Sequence, residues 1–213
     1  MDFNFASMKQ RTKEIMKTAV PNMYILSLVM IMIFYIWIVS NISIPYIFDI
    51  TEEYCIFGIM GILMVIKALF DIGYTYCVMK AAREEKGKIA DLCQGFRKKP
   101  LKIILAAILR IVIIFVGYVF FAIPGIISFY RSRVLYYVLL DDTDISIWQA
   151  FKRSFLLMKG NCMELFKLDL SFLAWHLLNI FSFGIASIYV RPFTEITYAE
   201  YYDYLKGKKQ LME

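Results

Sequence analysis

Four stretches of this chain, Met23 to Val39, Cys55 to Met79, Leu101 to Ile123 and Leu165 to Phe183, are apolar almost throughout. A bilayer core is about 30 Å thick and takes roughly 20 apolar residues as helix, the form in which a single segment satisfies its own backbone hydrogen bonds. The runs have that length. Composition agrees, since 60% of the 213 residues are hydrophobic against about 45 to 50% in soluble domains. The chain reads as an all-α integral membrane protein. No small-x-small cleavage site follows the first run, which is expected to be retained as a spanning helix.

Charge orients these runs. The segment before the first carries Lys9, Arg11, Lys13 and Lys17, and the loop after the second carries Lys80, Arg83, Lys86, Lys88, Arg97, Lys98, Lys99 and Lys102. Between them, the loop holding Asp49, Glu52 and Glu53 has no Lys or Arg. The positive-inside rule puts the amino terminus and the second loop in the cytoplasm and the acidic loop outside. A basic end at Lys206, Lys208 and Lys209 brings the carboxy terminus inside as well. The net charge of +6 is spread over loops and helix flanks, which argues against nucleic acid as a partner. Cys55, Cys77, Cys93 and Cys162 lack C-x-x-C spacing and read as free thiols or small apolar fillers.

Three amphipathic segments separate the runs. Ser7-Met8-Lys9-Gln10 has capping-box spacing, and Met8, Thr12, Ile15 and Ala19 share a helical face. Ile89, Leu92, Cys93 and Phe96 give the same period. Ser146-Ile147-Trp148-Gln149 repeats the capping box ahead of a stripe of Trp148, Phe151, Phe155 and Met158. Each segment precedes an apolar hairpin. Leu101 to Ile123 runs outward, Pro124-Gly125 breaks it, and Ile126 to Leu140 returns. Leu165 to Phe183 runs outward, Gly184 turns it, and Ile185 to Leu205 returns. These two hairpins share a pattern, Gly125-Ile126-x-Ser128-x-Tyr130 against Gly184-Ile185-x-Ser187-x-Tyr189. The expectation is one membrane domain over 1–213 with about six transmembrane helices. They form three tandem units of surface helix plus transmembrane hairpin, over 1–80, 81–141 and 142–206, with a short basic tail at 207–213.

From Phe121 to Leu205 the chain resembles the bacterial membrane family known as domain of unknown function 975. The resemblance is carried by Ile123-Pro124-Gly125-Ile126, by Ala150 to Lys159 with Ser154 and Met158-Lys159-Gly160, by Phe166, Leu170-Ser171-Phe172 and Trp175, and by Gly184-Ile185, Pro192 and Ala199 to Leu205. Met163 and Ala174 depart from the pattern, where an aromatic and a glycine are usual. The resemblance implies a multi-pass protein of the bacterial inner membrane with about six helices, and it implies no activity.

Candidate chemistry lies inside the runs, where ionisable groups are costly enough to mark function. Lys67 and Asp71 are four apart on one helix face, read first as a self-neutralising pair facing the bundle interior. Arg110, Asp169, His176, Arg191 and Glu195 complete the candidates for an intramembrane polar path, with Arg110 a further candidate partner for Asp71 or Asp169. His176 is the lone histidine and no H-x-x-x-H or G-x-S-x-G spacing occurs, so no catalytic residue, metal site or cofactor is expected. Asp141, Asp142 and Asp144 lack the glycine and late glutamate of a calcium loop and read as a solvated helix cap. Lys9, Arg11, Lys13, Lys17, Arg97, Lys98, Lys99, Lys152, Arg153 and Lys159 flank the amphipathic stripes and are candidates for contact with anionic headgroups. The functional expectation is a non-enzymatic protein that organises lipid or binds a membrane-protein partner. The alternatives are a small transporter or channel component using the charged path and, more weakly, a lipid-related membrane enzyme.

Overall fold

A computed structural model describes residues 5–19, 21–47, 53–97, 99–182 and 184–210, which are helical with no strand among them. The helices are α1 (Phe5–Thr18), α2 (Met23–Ile47), α3 (Glu53–Ala82), α4 (Gln94–Arg97), α5 (Pro100–Phe120), α6 (Ala122–Arg131), α7 (Leu135–Asp141), α8 (Ile147–Met158), α9 (Cys162–Phe181) and α10 (Ser187–Gln210). A 3-10 turn at Ile89–Cys93 precedes α4. Asp49, Glu52 and Lys98 lie outside the described residues.

Three helices are long and apolar enough to cross a membrane, over Met23–Ser43, Gly58–Ala82 and Pro100–Val119. Their apolar side chains point outward, with Ile36 60%, Ile62 63% and Phe115 66% exposed. That is the reverse of an aqueous fold and suits a hydrocarbon solvent. α9 and α10, the expected third pair, carry Glu164, Lys167 and Asp169, and Arg191, Glu195, Glu200 and Asp203, too many charges to qualify on hydropathy.

The α5–α6 connection differs from expectation. The chain turns at Phe121, which is extended (φ −166°, ψ 153°), and Pro124 and Gly125 lie inside α6. Proline is tolerated in a first turn because its missing N–H has no intrahelical acceptor there. Gly125 serves packing: a Cβ on it would come 2.6 Å from the Tyr118 ring. The return segment is also two helices, broken over Ser132–Val134. The Ser132 hydroxyl donates to the Phe129 carbonyl and Ser154 donates to that of Arg131, re-satisfying oxygens freed by the break.

The second capping box forms as read. Ser146 Oγ accepts from the Gln149 amide at 3.2 Å and Gln149 Oε1 accepts from the Ser146 amide at 3.1 Å. The first does not, because α1 is already helical at Phe5 and Ser7 sits inside it. The face of Met8, Thr12, Ile15 and Ala19 is nonetheless the packed one. It covers α10, where Thr12 Oγ1 donates to Glu200 at 2.8 Å and lies 3.2 Å from Thr197 Oγ1.

α9 and α10 form an aromatic-lined hairpin in which Phe193 meets Phe172, Trp175 and Tyr189. Its turn lies beside Tyr35, whose Oη would be 3.7 Å from a Cβ on Gly184. α2 continues beyond Tyr35 to Ile47, roughly 18 Å at 1.5 Å per residue. The hairpin therefore ends well short of the α2–α3 pair.

The segment from Ile89 to Arg97 lies on α3 by only part of its apolar stripe, through Leu92 and through Phe96, whose ring centroid is 5.0 Å from that of Phe70. Ile89 and Cys93 are exposed, whereas Asp91, Leu92 and Gly95 are buried. Two glycines set this face by letting backbones touch. A Cβ on Gly73 would fall 1.7 Å from the Leu92 carbonyl oxygen, and one on Gly95 2.0 Å from that of Leu69. Asp91 then locks the turn by accepting from Lys80 at 3.0 Å and the Lys88 amide at 2.9 Å. Burial opposes its ionisation, but the Lys88 amide and the Lys80 ammonium outweigh it and hold the carboxyl below its ordinary value. Gly73→Ala and Gly95→Ala are each expected to lower stability by about 1–3 kcal/mol. Gly58→Ala, with nothing within 4 Å, should be neutral or stabilising by up to about 1 kcal/mol. Thermal unfolding in detergent measures all three, and an unshifted Gly73→Ala midpoint would refute the contact.

Candidate functional site

Asp71 is the centre of a charged seam between α3 and α10. Lys67, one turn earlier on α3, donates to Oδ2 at 2.8 Å, and Arg191 of α10 donates to Oδ1 at 2.6 Å. Each cation also lies over an aromatic face, Lys67 at 5.7 Å from the Phe34 centroid and Arg191 at 4.7 Å from that of Tyr74, which supplements the ion pair where water is scarce. Tyr74 is itself anchored to Ser27 of α2 at 3.0 Å. The expected self-neutralising pair is thus a triad, and Arg191 rather than Arg110 answers Asp71. The three side chains are 27 to 34% exposed, so the seam is reachable.

What reaches it is a cavity of about 770 Å³ between α2, α3, α9 and α10. Lys67, Asp71, His176, Arg191 and Glu195 line it, with Phe34, Tyr35 and Ile180 at its apolar edge. A second cavity of about 400 Å³ lies across the seam, between α3, α5, the α6–α7 break and α10. Asp71, Thr75 and Glu195 line both. On that far side Glu195 accepts from Tyr137 at 3.3 Å. The spacing of Arg191, Glu195, Tyr198 and Tyr202 keeps the polar groups of α10 on one face. Thr75 and Thr194 return their hydroxyls to carbonyls of their own helices, as isolated hydroxyls in helices do.

Of the seven intramembrane residues singled out from sequence, six line these two cavities: Lys67, Asp71, Arg110, His176, Arg191 and Glu195. Asp169 is set back and accepts from Tyr198. Arg110 does not pair with Asp169 either; its Nε lies 3.3 Å from Ser132 Oγ and its guanidinium over Tyr136. Arg133, in the α6–α7 break, also lines the second cavity and was not singled out. Its signal in the sequence is an arginine two residues after another, Arg131, in a segment otherwise apolar enough to enter the membrane.

The acidic corner divides. Asp142 does not cap α8, whose cap is Ser146; it closes a turn ahead of it, accepting from the amides of Asp144 and Ile145. Asp141 binds Arg83 at 2.8 Å, Lys206 at 2.6 Å and Tyr202 at 3.1 Å, joining the end of α3 to α7 and α10. Burial opposes its charge, and Lys206 and Arg83 more than compensate, holding its carboxyl below the ordinary value.

The basic flank residues divide too. Lys9 lies over Phe172 and donates to the Ser171 carbonyl, Arg11 pairs with Glu200 and Glu84, Lys99 with Asp144, and Arg153 with Asp142. Lys13, Lys17, Arg97, Lys152 and Lys159 stay exposed.

Residues 130–209 match the family described as Protein of unknown function (DUF975). The match takes in Arg133, Asp169, Arg191 and Glu195 but begins after the Ile123-Pro124-Gly125-Ile126 stretch and excludes Lys67, Asp71 and Arg110. No curated protein and no solved structure matches the chain.

Asp71→Asn strands two cations, whereas Arg191→Gln leaves Asp71 paired with Lys67. Loss of one partner of a buried pair costs about 3–5 kcal/mol, and one-third exposure reduces this to roughly 1–3 kcal/mol for Asp71→Asn. The expected order of thermal stability in detergent is wild type, then Arg191→Gln, then Asp71→Asn. The reverse order of the two variants would show that the seam is not centred on Asp71.

Proposed function

We propose that this chain, similar over residues 130–209 to a family of unknown function, is a non-catalytic multi-pass membrane protein that binds lipid at the α3–α10 seam. The observation carrying this reading is the 770 Å³ cavity, polar on its floor and apolar at its edge. An amphiphile has the same division. The α9–α10 hairpin gives access, because its turn lies level with Tyr35, short of the end of α2, and headgroups are drawn inward by local thinning where a neighbouring segment ends early. Exposed Ile180 and Ile185 at its tip keep it in contact with acyl chains.

The remaining architecture follows the same proposal. Six helical segments enter the membrane as three hairpins, α2–α3, α5 with α6–α7, and α9–α10, each preceded by an amphipathic element. The location is the bacterial inner membrane with both termini in the cytoplasm, and the exposed basic residues of the amphipathic elements meet anionic headgroups there. A second reading, transport along the charged path, is favoured by Asp71, Thr75 and Glu195 lining both cavities; solute flux into proteoliposomes would replace lipid binding as the function.

Protein extracted with its own membrane is expected to show stoichiometric retained lipid by native mass spectrometry, and the bare polypeptide alone would count against lipid binding. Orientation has a separate check. Cys93 is exposed beside the basic loop, so a membrane-impermeant maleimide should label it only after cells are permeabilised. Labelling of Cys93 in intact cells, with Cys55 replaced by Ser, would invert the topology.

A further inference from the structure

The two cavities are not balanced in charge. Lys67, Arg110, Arg133 and Arg191 face them as cations, against the carboxylates of Asp71 and Glu195. Asp71 is already shared between Lys67 and Arg191. Arg110 and Arg133 stand outside any ion pair: among the described residues neither has a carboxylate within ion-pair distance, and Glu195 in the same cavity and Asp169 beside it act on Arg133 only at longer range. Both guanidinium carbons lie within 6 Å of the Phe129 centroid, at 5.9 and 5.6 Å. Arg133 also lies 4.8 Å from the Tyr198 centroid. Aromatic faces and one serine hydroxyl soften the cost of two like charges in an apolar medium, but they do not neutralise them.

We infer that the Arg110–Arg133 cavity receives the phosphate of a membrane phospholipid whose headgroup is net negative, which makes these two arginines the determinants of lipid choice. This rests on the lipid-binding reading above and adds the chemistry of the ligand. A guanidinium fork matches phosphate oxygens two at a time, and it holds its charge in any surroundings a membrane offers. Two unpaired forks facing one cavity supply the counter-charge that a phosphodiester needs and that a zwitterionic headgroup already carries in its own amine. Ala68, Ile72 and Ala107 line the same cavity as the two arginines, and that apolar wall favours a lipid over a free ion as the source, because a lipid fills both the charged and the apolar parts of it.

The test uses the full chain, stripped of lipid in detergent and given equal amounts of phosphatidylglycerol and phosphatidylcholine with identical acyl chains, with bound lipid counted by native mass spectrometry. Wild type is expected to prefer phosphatidylglycerol roughly tenfold, the scale of one charge-assisted contact. Arg110→Gln and Arg133→Gln should each bring the two lipids to within about twofold, and Arg110→Lys, which keeps the charge and loses the fork, should retain an intermediate preference. Far-ultraviolet circular dichroism confirms that each variant is folded, and if a Gln variant is not, the wild-type preference and Arg110→Lys decide. Equal binding of both lipids by wild type overturns the inference while leaving lipid binding intact. Binding of neither overturns the lipid reading itself. Calorimetric titration with inorganic phosphate then separates the sources: saturable binding that the Gln variants lose, without lipid binding, assigns the site to a free anion and overturns the lipid assignment.

Discussion

A carboxylate within a membrane is stable only beside its cations, and Asp71 has one from its own helix and one from α10, 120 residues away. The first contact is local and costs little to form. The second joins the amino-terminal hairpin to the carboxy-terminal one, and because both Asp71 oxygens are used it fixes how far α10 can slide along α3. Register then propagates by helical spacing. Arg191 at Asp71 puts Glu195 opposite Tyr137, and Tyr202 and Asp203 level with Asp141 and Arg83. Between lipid-exposed helices there is little hydrophobic drive to pair, since acyl chains are as apolar as the side chains. Polar contacts and close backbone approach must do what core burial does in water.

The two mechanisms divide along α3. Its seam with α10 is electrostatic, while its contact with the Ile89–Arg97 segment is steric, through Gly73 and Gly95. A glycine at such a place removes the side chain that would hold two backbones apart, and dispersion over the contact rewards the approach. The segment's apolar stripe is then divided: Leu92 is buried and Phe96 meets Phe70 of α3, while Ile89 is left exposed to the surroundings. An amphipathic element can thus lie on the protein by its small residue and part of its apolar stripe while the rest of that stripe meets lipid.

What was legible in the sequence was local. Run length gave the long helices, capping-box spacing gave the start of α8, and a four-residue interval gave Lys67–Asp71, because each is decided within a few turns of chain. The errors have equally physical causes. Ser7 matches a capping box, but a cap needs a helix that starts there, and α1 is already formed at Phe5. Pro124-Gly125 looks like a break, yet proline sits comfortably in the first turn after a break made at Phe121. Asp141 looked like its neighbour Asp142 until α3 and α10 brought Arg83 and Lys206 to it. Arg191 could be recognised as a membrane-depth cation without its partner being known, since a pair so distant in sequence has no periodicity to betray it. Arg133 lies beside a helix break, and that break is visible only once α8 is in place, where the Ser154 hydroxyl satisfies the freed Arg131 carbonyl.

The seam also explains why a protein with so much outward apolar surface keeps so many charges inside. If the pairs served only to hold α3 against α10, neutrality would be the cheapest arrangement, since each unmatched charge in low dielectric must be solvated by dipoles alone. Lys67, Asp71 and Arg191 come close to that economy. Arg110 and Arg133 do not, and they add nothing to the α3–α10 contact, because Arg110 lies on α5 and Arg133 at the end of a broken helix, both turned toward a cavity. A structural role would have been met as well by leucine at either position, with better packing and no solvation cost. Cations that make no ion pair, placed where the backbone is interrupted and space is left open, are arranged for a counter-charge that arrives from outside the chain.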